Sequence, residues 1–80
     1  MNVLLNITYQ GQSGNYLVAI DPGVDDATIK SICEEAVRAG EVPGVAPHLP
    51  QNAFANFVID RFDGEQVRFV VRPKVPFGAE

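Results

Sequence analysis

A single amphipathic segment between two β-prone stretches is the feature that most constrains the fold of this chain. Between residues 24 and 40 the apolar side chains recur at spacings of three and four, which predicts a helix with one buried face. Residues 3–21 and 53–72 instead alternate apolar and polar side chains, as half-buried strands do. One helix therefore has to cover strands that lie on both sides of it in the sequence. Its apolar stripe consists of Ile29, Ile32, Cys33, Ala36 and Val37.

The two ends of this helix carry capping residues. Asp25 is the expected N-cap, because its carboxylate can accept a hydrogen bond from a free backbone amide of the first turn. Val24 and Ile29 occupy the two positions of a hydrophobic staple around that cap. Gly40 tolerates the left-handed conformation that follows many helices, so we expect the helix to end there.

The exposed side of the helix is charged, and its opposite charges are spaced four residues apart. At this spacing a carboxylate and a cation lie on neighbouring turns and stabilise the helix slightly. A solvated charged face of this kind needs no functional explanation. The expected ion pairs are Asp26 with Lys30 and Glu34 with Arg38.

The first β-prone stretch predicts a hairpin. Residues 3–9 alternate, residues 10–15 contain two glycines among polar residues, and residues 16–21 are β-prone again. We therefore expect two strands joined by a long loop. The run Asp21-Pro22-Gly23 ends the second strand, since proline has no amide to donate to a neighbouring strand.

The second stretch predicts another hairpin, in which two turns compete. A two-residue loop at Asp63 and Gly64 would place arginines on the same face as large apolar side chains. A type I turn over residues 62–64 with a G1 bulge separates the arginines from the apolar side chains, and we adopt it. In that register Arg61 faces Glu65, Ile59 faces Val67, Phe57 faces Phe69 and Ala55 faces Val71.

Residues 41–52 contain three prolines and one glycine, so neither a helix nor a central strand is expected there. We expect this connection to cross one edge of the domain through Val45 and Leu49. His48 is interpreted as an ordinary loop histidine, because one histidine and one cysteine barely supply the partners that metal binding or general-base catalysis needs. No cofactor and no metal are expected.

The predicted fold is an α+β two-layer domain of ββαββ order, with one helix packed on a four-stranded mixed sheet. A chain of 80 residues forms one domain, 1–80, whose residues 73–80 are expected to be a C-terminal tail. The order of elements, together with the turn sequence at 61–65, resembles the β-grasp, or ubiquitin-like, fold. A split ferredoxin-like domain or a simple α+β meander is the structural alternative.

The resemblance also bears on the tail. In β-grasp proteins that act as sulfur carriers or conjugated modifiers, the chain ends in two exposed glycines, whereas here Gly78 is followed by Ala79 and Glu80. The spacing of Pro73 and Pro76 suits either a short polyproline II docking motif or a stop to the last strand. We adopt the stop.

Bulk composition narrows the classes of function. A formal net charge of −4 opposes attraction to phosphate backbones and anionic lipid, so neither nucleic acid nor a membrane is expected as a partner. The single cysteine, Cys33, has no partner for an internal disulfide and lies on the apolar stripe, which is typical of a cytoplasmic protein. We expect no catalytic residues and no enzyme.

The sheet face turned away from the helix is the expected functional surface. In the adopted register it combines apolar side chains with an arginine rim, which is a favourable interface composition. Ubiquitin-like domains commonly recruit partners through this face, although an outer sheet face with some apolar side chains also occurs without a function. The candidate partner-binding residues are Phe54, Val58, Arg68, Val70 and Arg72, with Asn56 and Leu4 nearby.

Three functional hypotheses follow. The first, which we adopt, is a small cytoplasmic, non-catalytic protein-binding module that acts through this face as a monomer or weak homodimer. The second is an acidic inhibitor or decoy protein of phage or mobile-element origin. The third is an accessory subunit of a larger enzyme, packed through the proline-rich connection or the tail. The carboxylates of the second hypothesis are Asp21, Asp25, Asp26, Glu34 and Glu35.

Overall fold

The computed structural model describes residues 1–74, which form one helix and four strands. The predicted α+β class and ββαββ order are confirmed. Pro73 is the last residue of the final strand, while residues 75–80, which hold most of the expected tail, lie outside the described residues. The elements are β1 (Asn2–Tyr9), β2 (Gln12–Ala19), α1 (Asp26–Arg38), β3 (Phe57–Phe62) and β4 (Val67–Pro73).

The first hairpin turns on two residues, so the long loop that we expected there is wrong. Gln10 and Gly11 have φ angles of 50° and 79°, and two successive positive φ angles are the geometry of a type I′ turn, which matches the twist of the flanking strands. Residues 12–15, expected in the loop, instead pair with residues 6–9 of β1. This pairing gives backbone amides and carbonyls hydrogen-bond partners that a loop would leave to solvent.

The helix begins and ends where its capping residues predict. Asp25 is the N-cap, and its Oδ1 atom accepts a hydrogen bond from the backbone amide of Thr28 at 2.9 Å. At the other end Gly40 has a φ of 75°. The amides of Gly40 and Glu41 donate to carbonyl oxygens of the last helical turn, which is the Schellman motif.

Only one of the two ion pairs expected on the helix forms. Arg38 pairs with Glu34 as predicted. The pairing of Asp26 with Lys30 is wrong, because Asp26 is bound by Arg61 of β3 and Lys30 donates to a backbone carbonyl oxygen in the connection before β3. A pair at this helical spacing is worth only about 0.2–0.5 kcal/mol, so a well-placed tertiary partner displaces it.

The four strands form one mixed sheet in the order β2-β1-β4-β3, with β1 and β4 parallel at its centre. α1 packs on one face of this sheet, and the arrangement is compatible with a β-grasp-like fold. Because side chains alternate along each strand, one set lies against the helix and the other points away from it. The buried core consists of Val3, Leu5, Ile7, Ile29, Cys33, Ala36, Val37, Val42, Val45, Phe54, Phe69 and Val71.

The second hairpin has the predicted faces but a different register. Phe62 pairs with Arg68, and Arg61 pairs with Phe69 where Glu65 was expected. The bulged three-residue turn is therefore wrong. Each residue of β3 pairs with a β4 residue four positions later than predicted. Because four is an even number, the shift leaves every side chain on its predicted face. The separation of charged from apolar side chains survives the error.

The connection between α1 and β3 packs over the core. Val45 is buried and Leu49 is partly buried, as predicted, and Val42 is buried beside them. The backbone of this connection also approaches β2 closely, since a Cβ atom on Gly14 would lie 2.1 Å from the carbonyl oxygen of Pro43. Glycine at that strand position is what permits the contact.

Candidate partner-binding face

The sheet face turned away from α1, here called the outer face, presents two rows of side chains that cross all four strands, and the first of them, here called the long row, is mainly apolar. Leu17 of β2 pairs with Leu4 of β1. Leu4 in turn pairs with Arg68 of β4, which pairs with Phe62 of β3. This long row has an apolar side chain at each edge and one guanidinium inside it. The outer face consists of Leu4, Asn6, Asn15, Leu17, Val58, Asp60, Phe62, Arg68, Val70 and Arg72.

The two ends of the long row are the most exposed large apolar side chains of the sheet. Leu17 is 53% exposed and Phe62 is 45% exposed. Among residues 1–74 the one other large hydrophobic residue with comparable exposure is Met1. The row therefore concentrates the exposed apolar area of the strands on one face.

The row beside it runs through Asn15, Asn6, Val70 and Asp60. Its polar side chains are paired within the sheet, since Asn15 binds Asn6 and Asp60 binds Arg72, which lies two residues beyond Val70 in β4. The Nδ2 atom of Asn6 donates to Oδ1 of Asn15 at 2.8 Å, and Nε of Arg72 lies 2.7 Å from Oδ2 of Asp60. Val70 lies half-buried between Asn6 and Asp60. These contacts satisfy the polar side chains of the row within the protein, so that it carries little net charge.

Arg68 is the exposed cation of the long row. Its Cζ atom lies 5.5 Å from the centroid of the Phe62 ring, a cation–π contact between neighbouring strands. At an exposed site such a contact is worth about 0.5–1 kcal/mol. It holds the two side chains together while both remain accessible.

Phe54 does not belong to this face, and its expected position there is wrong. It is 1% exposed and precedes β3, which begins at Phe57. Its ring packs edge-on against Tyr9 at 5.7 Å and against Phe57 at 4.9 Å. The turn over residues 51–56 breaks the alternation that the prediction extended backward from β3, and it directs Phe54 into the core. Asn56 lies in the same turn.

No protein-family model, curated protein or solved structure matches this chain. No helix within residues 1–74 is long and apolar enough to cross a membrane.

The sequence predicted only part of the outer face of β3 and β4, because Asp60 was not among the predicted residues and both ends of the long row were missed. Leu17 was missed because the expected loop left β2 unaligned with β1, although its alternation with Tyr16 and Val18 was a usable signal. Phe62 was missed because it was assigned to the turn. The candidate residues that lie on the outer face as predicted are Val58, Arg68, Val70 and Arg72.

In the part of the chain that the structure describes, reactive side chains away from the outer face do not form a cluster. Cys33 is fully buried, and burial raises the pKa of its thiol to about 12, so it is a neutral and poor nucleophile. His48 is exposed on the connection. Within residues 1–74 there is no group of three His, Cys, Asp or Glu side chains placed to hold a metal ion. The chemistry that the outer face offers is apolar contact and hydrogen-bond donation.

Proposed function

We propose that this protein is a small, non-catalytic protein-binding module that contacts its partner through the outer face. The observation that carries the proposal is the long row, in which Leu17 and Phe62 at opposite edges are joined through Leu4 and Arg68. Single exposed apolar residues are ordinary on protein surfaces, whereas a continuous row offers a partner an area from which water can be excluded.

Burial of the long row on a partner would favour association. A fully buried Leu or Phe side chain contributes about 1.5–3 kcal/mol, and the exposed parts of Leu17 and Phe62 about half of that each. Association itself costs roughly 4–15 kcal/mol. A stable complex therefore has to extend from the long row to the half-buried Val58 and Val70 beside it, with Arg68 supplying polar contacts.

The acidic-inhibitor hypothesis has less support, because most of its carboxylates are engaged within the protein. Asp25 caps α1, and Asp21 accepts a hydrogen bond in the turn before it. Asp26 and Glu34 are each paired with an arginine. Of the five carboxylates, Glu35 alone has no such contact within residues 1–74. An inhibitor that neutralises a basic site needs carboxylates that can turn toward it.

The accessory-subunit hypothesis depended on the proline-rich connection and the tail. The apolar side chains Val42 and Val45 of that connection are buried in the core of this protein and are not available to a catalytic chain. Most of the tail lies outside the described residues. The outer face is thus the better-supported interaction surface.

A cytoplasmic location is part of the proposal. The single cysteine, Cys33, is free and buried. A chain without disulfide bonds suits a reducing compartment.

The proposal is tested by a comparative pull-down from lysate of the source organism. The face variant Leu17→Asp/Phe62→Asp places two charges at exposed positions of the long row. The control variant Ala27→Asp/Ser31→Asp adds the same charge at two exposed positions of α1. Circular dichroism verifies that both variants are folded, and mass spectrometry identifies what each column retains.

We expect at least one protein that is held by the wild type and by the control variant and is lost from the face variant. Equal retention by the folded face variant and the wild type would contradict the proposal. Retention of no protein by the wild type would contradict it as well.

A further inference from the structure

Arg68 differs from the three other arginines of the chain. Arg38, Arg61 and Arg72 each lie within 2.7 Å of a carboxylate oxygen. Among residues 1–74 no side chain or carbonyl accepts a hydrogen bond from the guanidinium of Arg68, which lies over the ring of Phe62. A guanidinium carries five donors in a rigid fork that matches the two oxygens of a carboxylate. Within residues 1–74 the fork of Arg68 has no acceptor.

The neighbours of Arg68 in the sheet make it a selective site for an anion. Leu4 pairs with it on one side and Phe62 on the other. The one carboxylate of the outer face, Asp60, is held by Arg72. A cation placed among apolar side chains is complementary to an anion that is itself flanked by apolar side chains.

We propose that Arg68 is the recognition residue of the outer face and binds an Asp or Glu side chain of a partner segment whose flanking side chains are large and apolar. This inference rests on the proposed function and names the chemistry of the partner. The carboxylate meets the fork of Arg68 in a charge-assisted hydrogen-bonded pair. The flanking apolar side chains cover Leu4 and Leu17 on one side and Phe62 on the other.

Two other occupants fit the outer face less well. A nucleic acid is held by several cations at once, whereas this face has two arginines, one of them neutralised, in a chain of net charge −4. If the outer faces of two copies met, two like-charged Arg68 side chains would come together. The one carboxylate of that face, Asp60, is already engaged by Arg72.

The test is a selection from a random dodecapeptide library displayed on phage, with the full chain immobilised. The selected peptides should carry an Asp or Glu between large apolar residues. Replacing that acid by its amide should weaken binding about 10-fold or more, as expected for the loss of a charge-assisted hydrogen bond. Arg68→Gln should weaken binding of the acidic peptide by a similar factor and should weaken the amide peptide no further.

Two further variants separate the shape of the guanidinium from its charge. Arg68→Lys keeps the charge without the fork and should recover only part of the affinity. Arg38→Gln makes the same change of net charge as Arg68→Gln on α1, away from the outer face, and should bind like the wild type. An equal loss in Arg38→Gln and Arg68→Gln would reduce the effect to net charge and overturn the inference.

The remaining outcomes are distinguishable. Peptides that require Leu17 and Phe62 but tolerate Arg68→Gln would overturn this inference and leave the proposed function standing. A library that yields no binder to the outer face would overturn this inference, and the pull-down then decides the proposed function separately. A short single-stranded oligonucleotide that binds more tightly than the selected peptides, and whose binding is lost in Arg68→Gln, would overturn the inference in favour of a nucleic acid. A dimer that is lost in Arg68→Gln would overturn it in favour of a second copy of the chain.

Discussion

The guanidinium of Arg61 lies 2.6 Å from the carboxylate of Asp26 and ties the edge strand β3 to the first turn of α1. The same guanidinium donates to the carbonyl oxygens of Pro22 and Val24 at 3.0 and 2.9 Å. Its Cζ atom lies 4.7 Å from the centroid of the Phe69 ring. Arg61 thus links the sheet to α1 and to the turn before it at this end of the core.

Replacement of Arg61 should therefore destabilise the fold more than replacement of its ionic partner. We expect Arg61→Gln to lower the free energy of unfolding by about 1–3 kcal/mol, since it removes the cation–π contact and several hydrogen bonds. Asp26→Asn should cost at most about 1 kcal/mol, because a largely exposed ion pair contributes little. Urea denaturation measures both. Equal losses of unfolding free energy in the two variants would show that Arg61 stabilises the fold through its ion pair with Asp26 and not through its contacts with the backbone and the Phe69 ring.

The two phenylalanines whose positions the sequence did not predict, Phe54 and Phe62, should differ in how much stability their truncation costs. Phe54→Ala removes a fully buried ring from the core and should cost about 3–5 kcal/mol. Phe62→Ala removes a half-exposed ring of the outer face together with its cation–π contact and should cost about 1–2 kcal/mol. Thermal unfolding followed by circular dichroism distinguishes them, and a small effect of Phe54→Ala would argue against its position in the core.

A side chain at Gly14 should destabilise the fold, for a steric reason. A Cβ atom there would lie 2.1 Å from the backbone carbonyl oxygen of Pro43, so the connection would have to move away from β2. We expect Gly14→Ala to cost about 1–3 kcal/mol, the usual range for overpacking. Gly23→Ala is the matched control, because its Cβ would meet its nearest neighbour at an ordinary 3.4 Å. A stability change of the same size in both variants would contradict the close approach.

The N-cap should make the stability of the protein depend on pH in the acid range. Hydrogen bonding by the side chain and backbone amide of Thr28 holds the pKa of Asp25 below its ordinary value of 3.8. A depressed pKa stabilises the folded state fully above pH 3.8, and the contribution is lost as the pH falls through the lower value of the folded state. The difference in unfolding free energy between wild type and Asp25→Ala should therefore shrink on acidification. A difference that stays constant down to about pH 2 would contradict this.

The buried thiol should be protected from alkylation and sensitive to alkali. Burial raises the pKa of Cys33 from its ordinary 9.0 to about 12, so native protein should react with iodoacetamide at about pH 8 far more slowly than protein unfolded in guanidinium chloride. Because only the unfolded thiol ionises readily, stability should fall as the pH rises above 9 toward 12. Mass spectrometry measures the labelling, and rapid labelling of the native protein would show that Cys33 is accessible.

The parts of the fold that were predictable are those set by neighbouring residues. The N-cap at Asp25 and the C-terminal glycine at Gly40 involve contacts within about one helical turn. The faces of β3 and β4 were also predictable, because alternation is a property of each strand by itself. The pairing of Arg61 with Phe69 was not, because β4 is held in place by parallel pairing with β1, which is distant in sequence.

By itself the sequence determined the order of the elements, the limits of α1 and the side chains of β3 and β4 that share a face, since each of these follows from spacings within one element. Only the tertiary structure decided which residues of different strands are neighbours. It brought Leu17 and Phe62 into one row across β1 and β4, turned Phe54 into the core and left Arg68 unpaired within residues 1–74. Such relationships depend on the register and packing of the whole chain, and no local pattern of residues encodes them.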